Sequence, residues 1–173
     1  MKETLVDLKT RRSCRRYLPG QVSLEELNAV LDAGSYAPTG RGLQSPRMVV
    51  TQDRELVARL SSLNAAVMGT TNDPFYGATT VIIVFEDTNC GTSVQDASAV
   101  MVTLLNAAHA LGLGSCWINR AAEMFELPEG RALSASWGIA DHYRGLGICV
   151  LGYPAEGGES PPRPRKADYI LRV

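Results

Sequence analysis

The chain of 173 residues has little of what marks several common protein classes. Its 17 Lys and Arg are balanced by 18 Asp and Glu, and a net charge of −1 argues against a nucleic-acid-binding protein, which usually carries a basic face. Only four cysteines and two histidines occur, and no two cysteines form a Cys-x-x-Cys pair. The sequence therefore predicts neither a zinc site nor a disulfide framework.

Long apolar runs are also missing. The longest, such as residues 81–85, are far too short to cross a bilayer, and no apolar run follows a basic start. We therefore expect no membrane span, no signal peptide and a cytoplasmic protein whose thiols are reduced and mostly buried. Because the length suits one domain and no internal repeat or linker is present, residues 1–173 are predicted to form a single domain.

Against this neutral background, positive charge is concentrated at residues 11–16. Arg-Arg-Ser-Cys-Arg-Arg places four arginines in six residues with no acid among them. A guanidinium group matches phosphate oxygens in pairs and Ser13 adds a hydroxyl donor, which favours a phosphate-bearing ligand. The alternative is a solvated end of the first helix, with arginines lying over its last carbonyls.

A second basic patch lies in the proline-rich tail, at Arg163, Arg165 and Lys166. If this segment is extended, successive side chains point to opposite sides, so Arg163 and Arg165 lie on the same side. If the two patches meet in space, they would hold a doubly charged monophosphate better than either patch alone.

Hydrophobic patterning predicts six helices and four strands. The helices are expected at 3–10, 24–36, from 53 through 63, 94–111, 121–126 and 129–137, and the strands at 48–51, 81–85, 115–119 and 146–152. Ser23 and Glu26 have the spacing of a capping box at the start of the second helix. The helix at 94–111 is apolar nearly all round, so it is either the middle of a core or part of a subunit interface.

Two irregular stretches interrupt this pattern. In residues 37–46, two glycines allow the backbone to approach a ligand closely, with N–H groups free to donate. A plain connector is the alternative, but ten residues is long for one, so we favour a functional loop. Residues 69–80 form the second stretch, which leads into the apolar run at 81–85.

Five segments, taken in order, resemble the flavin-dependent nitroreductase family over nearly the whole chain. They are Arg-Arg-Ser-Cys-Arg-Arg-Tyr at 11–17, Ala-Pro-Thr-Gly at 37–40 with Gln44, Asp-Pro-Phe-Tyr-Gly-Ala at 73–78, Ala-Leu-Gly-Leu-Gly-Ser-Cys-Trp-Ile at 110–118, and Leu-Gly-Tyr-Pro at 151–154 with the basic tail. The resemblance implies an α+β fold with a mixed central β-sheet flanked by helices, assembled as an intertwined homodimer with FMN at the interface.

The resemblance also implies which residues would bind the cofactor. Those expected to hold the FMN phosphate and ribityl end are Arg11, Arg12, Ser13, Arg15, Arg163 and Arg165. Those expected to line the flavin from the partner subunit are Pro38, Thr39, Gly40 and Gly42. Gln44 and Asn72 are also expected to bind the cofactor. Those expected along the ring and its N5 and O4 edge are Cys116, Trp117, Ile118 and, through backbone N–H groups, Asn119.

Two positions depart from the pattern of many family members. Gly42 stands where many members carry an asparagine, so any contact there must come from the backbone. Many members also carry an asparagine and a lysine before the central strand, and both bond the pyrimidine edge of the flavin. Here Asn72 is expected to replace the asparagine, but a proline and Phe75 occupy the region of the lysine. Without that charge near N1 and O2 the reduction potential would fall, unless Arg15 or Arg41 replaces it. Phe75 and Tyr76 are expected to line the acceptor pocket, with core packing as the alternative.

The activity implied is that of an FMN-dependent NAD(P)H oxidoreductase. NADH or NADPH would pass hydride to flavin N5, and a nitroaromatic, quinone or similar small acceptor would then be reduced. The flavin carries this chemistry, so no catalytic side chain is predicted. Two alternatives remain, namely a specialised FMN-dependent relative of the dehalogenase or flavin-fragmenting type, and a non-catalytic module that binds a phosphorylated partner or nucleic acid.

Overall fold

Residues 2–173, which the computed structural model describes, form six α-helices, four strands and one 3-10 turn. The helices are α1 Glu3–Thr10, α2 Leu24–Ser35, α3 Arg54–Met68, α4 Ser93–Ala110, α5 Ala121–Glu126 and α6 Pro128–Ser136. The strands are β1 Arg47–Thr51, β2 Thr80–Asp87, β3 Gly114–Ile118 and β4 Tyr143–Gly152, and the 3-10 turn is Gly40–Gly42. The predicted helices and strands are all present, and the α+β class is confirmed.

The four strands form one sheet in the order β1-β2-β4-β3. All three strand pairs are antiparallel, and the parallel element is an isolated bridge between Ser13 and Ser115. Strand β2 is central, and its residues are buried except for the last. The apolar run at 81–85 is therefore covered on both faces of the sheet, which is the environment that a continuous apolar strand favours.

Side chains of the central strand alternate between two hydrophobic cores. Ile83 and Phe85 pack on one face with helices α3, α5 and α6, whereas Ile82 and Val84 pack on the other face with α2 and α4. Burying one side chain of this size contributes about 1.5–3 kcal/mol, so the two layers supply the main stabilisation of the sheet.

Helix α4 is buried along one side and exposed along the other. Met101 and Leu104 are fully buried, but Val94, Val102 and Leu111 near or on the helix are largely exposed. At 18 residues it is the longest helix, yet no helix in the described part of the chain combines the length and apolar character needed to cross a membrane.

The predicted capping box is present at the start of α2. The Ser23 hydroxyl accepts from the Glu26 N–H at 3.2 Å, and the Glu26 carboxylate accepts from the Ser23 N–H at 3.1 Å. The same carboxylate accepts from the Tyr153 hydroxyl at 2.7 Å, just beyond β4. Hydrogen bonds lower the pKa of Glu26 below its ordinary value of 4.5, and the one from Ser23 has a larger effect than the one from Tyr153.

We predict that Glu26→Gln destabilises the fold by about 1 kcal/mol at neutral pH, because a neutral amide oxygen accepts hydrogen bonds from the Ser23 N–H and the Tyr153 hydroxyl more weakly than a carboxylate does. A lowered pKa means that the carboxylate stabilises the fold above its unfolded pKa, near 4.5, and that this contribution is lost as pH falls through the folded value. The difference in unfolding free energy, measured by urea denaturation, should therefore shrink below pH 4.5. Glu25→Gln is the matched control in the same helical turn, and an equal Glu26→Gln effect at pH 7 and pH 3 would contradict the assignment.

Candidate functional site

The arginine segment 11–17 lies in an extended form between strand β3 and the C-terminal tail. On one side the Cys14 N–H donates to the Ser115 carbonyl at 2.8 Å, and on the other the Arg15 N–H donates to the Gly158 carbonyl at 2.8 Å. These backbone hydrogen bonds fix the segment against parts of the chain more than 95 residues away in sequence.

Further bonds join the segment to the tail. The Ser160 N–H donates to the Ser13 carbonyl at 3.1 Å, and the Ala155 N–H donates to the Arg16 carbonyl at 3.0 Å. A side-chain contact adds to them, because Nη1 of Arg15 donates to the Ser160 hydroxyl at 2.6 Å. Ser160 is a contact residue that the sequence did not identify, and only its place beside the proline-rich tail could have pointed to it.

Two glycines allow this segment to lie so close to the sheet. A Cβ on Gly114 would fall 2.8 Å from the Cys14 sulfur, and a Cβ on Gly152 would fall 2.7 Å from the Tyr17 ring. Larger residues at either position would push the arginine segment away from β3 and β4.

The two basic patches meet at one cavity of about 890 Å³. Its lining includes six cationic side chains and no acid, and the cationic residues are Lys9, Arg11, Arg12, Arg15, Arg163 and Arg165. Ser13 and Ser160 add hydroxyl groups to the same lining. The condition that the sequence left open, that arginines from both ends of the chain converge, is therefore met within one copy of the chain.

The arginines of this cavity are not paired with acids in the part of the chain that the structure describes. Within residues 2–173, no arginine of the lining makes an ion pair. Arg12 donates to the carbonyls of Lys9 and Arg11 at 2.8 and 2.7 Å, so for Arg12 the alternative interpretation, an arginine lying over the last carbonyls of α1, is correct. The uncompensated positive charge makes the cavity suited to a polyvalent anion.

Buried thiols lie next to the arginine segment. Cys14, Cys116 and Cys149 are buried, and no disulfide joins the four free cysteines. Burial raises the pKa of the Cys116 thiol, and Arg15 only partly opposes that effect. These thiols therefore stay protonated at neutral pH. Their burial agrees with the expectation that the thiols of this chain are mostly buried. No group of metal-binding side chains forms among residues 2–173.

The predicted ring-contacting residues of β3 do not share one face of the sheet. Cys116 and Ile118 point into the core beneath α3 and α5, whereas Trp117 packs on the opposite face. A ligand beside this strand would meet side chains of one face or the strand's backbone. After the strand, the exposed Asn119 has its carbonyl held by Nδ2 of the buried Asn64 at 2.8 Å.

The glycine loop 37–46 is anchored to the beginning of α4. Asp96, 4% exposed, accepts from the Gly40 N–H at 2.9 Å and from the Ser45 hydroxyl at 3.3 Å. Gly42 has a φ of 68° and a Cβ there would meet nothing within 4 Å, so its backbone faces open space. The sequence did not identify Asp96, although it is the single acid of helix α4.

The other predicted residues of the loop lie on either side of the 3-10 turn. Thr39 precedes the 3-10 turn, and its hydroxyl accepts from the Gln44 N–H at 3.0 Å. Pro38 lies just before it, and Gln44 lines a separate cavity of about 360 Å³.

Within one copy, the glycine loop and the arginine cavity lie at opposite ends of α4. The loop contacts Asp96, whereas Thr10, beside the arginine segment, contacts Nε2 of His109 at 2.9 Å. Thirteen residues separate these two positions, which corresponds to roughly 20 Å along the helix. No residue of 37–46 lines the arginine cavity, so one chain alone does not bring these two groups of predicted residues together.

The segment before β2 lies beside the arginine segment. The ring of Tyr76, 38% exposed, has the Arg15 guanidinium 6.0 Å from its centroid. Phe75 is only 1% exposed and packs in the core, while also lining a cavity of about 490 Å³ against α3. Asn72 is exposed, and its N–H donates to the Thr70 hydroxyl at 3.2 Å.

Comparison with known proteins identifies the family. The model of the Nitroreductase family matches residues 8–72 and 64–153. The chain belongs to the nitroreductase family. Among its relatives, one from Archaeoglobus fulgidus with the provisional name NADH dehydrogenase/NAD(P)H nitroreductase is 30% identical over 161 residues, which cover 90% of this chain and 88% of the relative.

Solved structures of other nitroreductases have the same fold. A nitroreductase from Bacteroides fragilis with bound FMN aligns with a TM-score of 0.91 and 29% identity over the whole of both chains. A nitroreductase from Desulfitobacterium hafniense, also with bound FMN, aligns with a TM-score of 0.88 and 26% identity over 100% of this chain and 99% of that one. The nitroreductase-like architecture expected from the sequence is thereby confirmed.

Proposed function

We propose that this nitroreductase is an FMN-dependent oxidoreductase. It would pass electrons from NADH or NADPH to a small acceptor such as a nitroaromatic compound or a quinone. The observation that carries the proposal is the cavity at which arginines from both ends of the chain converge. The FMN bound in two similar structures and the NAD(P)H nitroreductase name of a relative support it.

The donor set of the cavity fits the phosphate end of FMN. Its volume of about 890 Å³ is within the usual size of small-molecule sites, roughly 300–1,000 Å³. Guanidinium groups such as those of Arg11 and Arg165 match phosphate oxygens in pairs, and the Ser13 hydroxyl adds a neutral donor. A hydrogen bond between charged partners contributes roughly 1.5–3 kcal/mol, so a few of them anchor a mononucleotide.

The chain's own residues bind, orient and shield rather than react. FMN, when bound, supplies the two-electron chemistry that links nicotinamide to acceptor through its N5 position. The arginines would fix the phosphate end, and the backbone of residues 116–119 would lie along the ring. Because burial keeps the neighbouring Cys116 thiol protonated, that residue offers no competing nucleophile.

We further propose that the site is completed by a second copy of the chain. The glycine loop and the arginine cavity lie roughly 20 Å apart along α4, and the Gly42 backbone faces open space. Exposed apolar side chains of α1 and α4, including Leu5, Leu8 and Val102, provide a surface for association. In a homodimer, Pro38, Thr39, Gly40 and Gly42 of one copy would reach the flavin held by the arginines of the other.

The activity can be tested by anaerobic reduction. NADH or NADPH should bleach the flavin absorption of the purified holoprotein, and adding a nitroaromatic compound or a quinone should restore it. Bleaching followed by reoxidation with only one specialised acceptor would favour a dehalogenase-type or other specialised relative. Failure of both nucleotides to bleach the flavin would contradict the proposal.

We predict that the Arg11→Ala/Arg165→Ala double variant loses FMN affinity far more than riboflavin affinity, because riboflavin lacks the phosphate. Two charge-assisted bonds together are worth about 3 kcal/mol or more, so the FMN dissociation constant should rise by over about 100-fold and that of riboflavin by less than about threefold. Fluorescence titration of the apoprotein measures both constants.

The matched control is Arg16→Ala/Lys166→Ala, since it removes the same net charge from the same two segments. Neither Arg16 nor Lys166 lines the arginine cavity. The control should therefore retain nearly all of its affinity for FMN. Equal losses for FMN and riboflavin in the Arg11/Arg165 variant would mean that these residues do not bind the phosphate.

The shared site makes a separate prediction about mixed dimers. Arg11→Ala/Arg165→Ala disables the arginine cavity, and Gly42→Leu adds bulk at the loop backbone, where a Cβ would meet no other atom within 4 Å. If the loop serves the partner's flavin, co-expression of the two variants should restore about a quarter of the wild-type FMN sites, because a two-fold heterodimer keeps one intact site. Each variant alone should bind little FMN, and restoration no greater than their average would argue for a site within one chain.

A further inference from the structure

The Arg15 guanidinium is held from two sides at the edge of the arginine cavity. Its Nη1 donates to the Ser160 hydroxyl at 2.6 Å, and its Cζ lies 6.0 Å from the centroid of the Tyr76 ring. Arg15 is otherwise exposed and makes no ion pair among residues 2–173. A long cationic side chain in this position samples many rotamers, so these two contacts are what restrict it.

The backbone of Tyr76 adopts a conformation that a tyrosine rarely takes. Its φ is 58°, in the left-handed region that favours glycine. Such strain persists where surrounding contacts hold the residue in the unfavourable conformation, and it is concentrated at functional sites. The strained backbone therefore indicates a functional role for the Tyr76 side chain.

Asp73 supplies the interactions that hold this strained turn. Its carboxylate accepts from the Phe75 N–H at 2.8 Å and from the Gly77 N–H at 2.6 Å, on either side of Tyr76. The hydroxyl of Ser61, on helix α3, donates to the same carboxylate at 2.5 Å. The buried ring of Phe75 fixes the turn from within, which leaves the neighbouring Tyr76 ring directed at Arg15.

We propose that Tyr76 is a positioning residue for Arg15, presented by the turn that Asp73 holds. The face of its ring attracts the guanidinium through a cation–π contact and keeps it at the arginine cavity. The inference rests on the proposed function, in which Arg15 binds the FMN phosphate. It gives Tyr76 a role in holding the cofactor's phosphate end, in addition to the acceptor contact expected from family resemblance.

The test is a set of FMN and riboflavin dissociation constants for apoprotein variants. Tyr76→Leu should raise the FMN constant by about two- to fivefold, the usual strength of an exposed cation–π contact, and leave the riboflavin constant unchanged. Tyr76→Phe keeps the ring with the same backbone requirement and should retain wild-type FMN affinity. Ser160→Ala removes the other side-chain contact of Arg15 and should likewise weaken the binding of FMN more than that of riboflavin.

A double-mutant cycle separates positioning from a general structural role. In an Arg15→Met background, Tyr76→Leu should weaken FMN no further, because the group that it positions is gone. An equal loss for both ligands, a loss that persists without Arg15, or no loss at all would overturn the proposal. Absence of FMN binding by the wild-type apoprotein would refute the proposed function as well, so the two failures are distinguishable.

Discussion

The structure depends on the backbone hydrogen bonds that insert the arginine segment between β3 and the tail. Like charges gathered at one cavity repel one another, and no acid of the lining offsets that repulsion. The bonds from Cys14 to Ser115 and from Arg15 to Gly158 do not depend on charge, so they can hold the guanidinium groups together before any anion arrives. A bound phosphate would then relieve the repulsion, which couples cofactor binding to the stability of both chain ends.

Helix α4 gives the second constraint, because it separates the two groups of predicted cofactor residues. One of its ends contacts Thr10 beside the arginine segment, and the other end anchors the glycine loop through Asp96. The helix holds these two groups roughly 20 Å apart in one copy, and the proposed second copy of the chain would bring a glycine loop to each arginine cavity. The same helix exposes apolar side chains such as Val102, which agrees with a role in association.

Local signals in the sequence were sufficient for most of the fold. The capping box of Ser23 and Glu26 depends on a spacing of three residues, and the central strand depends on a continuous apolar run, so both could be predicted without tertiary information. Strand alternation also explains why Cys116 and Trp117 point to opposite faces of the sheet. That rule is available from the sequence alone, whereas the expected contact of both residues with the flavin ring comes only from the family resemblance.

Contacts between distant segments could not be predicted in the same way. The place of Ser160 beside the proline-rich tail does not indicate that it meets Arg15, and the position of Asp96 as the single acid of α4 does not indicate that it holds Gly40. Both contacts depend on how remote segments pack. The convergence of the two basic patches could be stated only as a condition. It needed the extended path of the arginine segment along β3, which hydrophobic patterning does not encode.

The most direct measurement of the central claim is phosphorus-31 NMR of the holoprotein across a pH range. A free phosphomonoester changes its charge, and therefore its chemical shift, around a pKa of about 6. Converging guanidinium groups favour the dianion, so the bound phosphate resonance should stay nearly constant from pH 8 to pH 5. A resonance that titrates like free FMN would contradict the account, because the phosphate would then lie in solvent, away from the arginines.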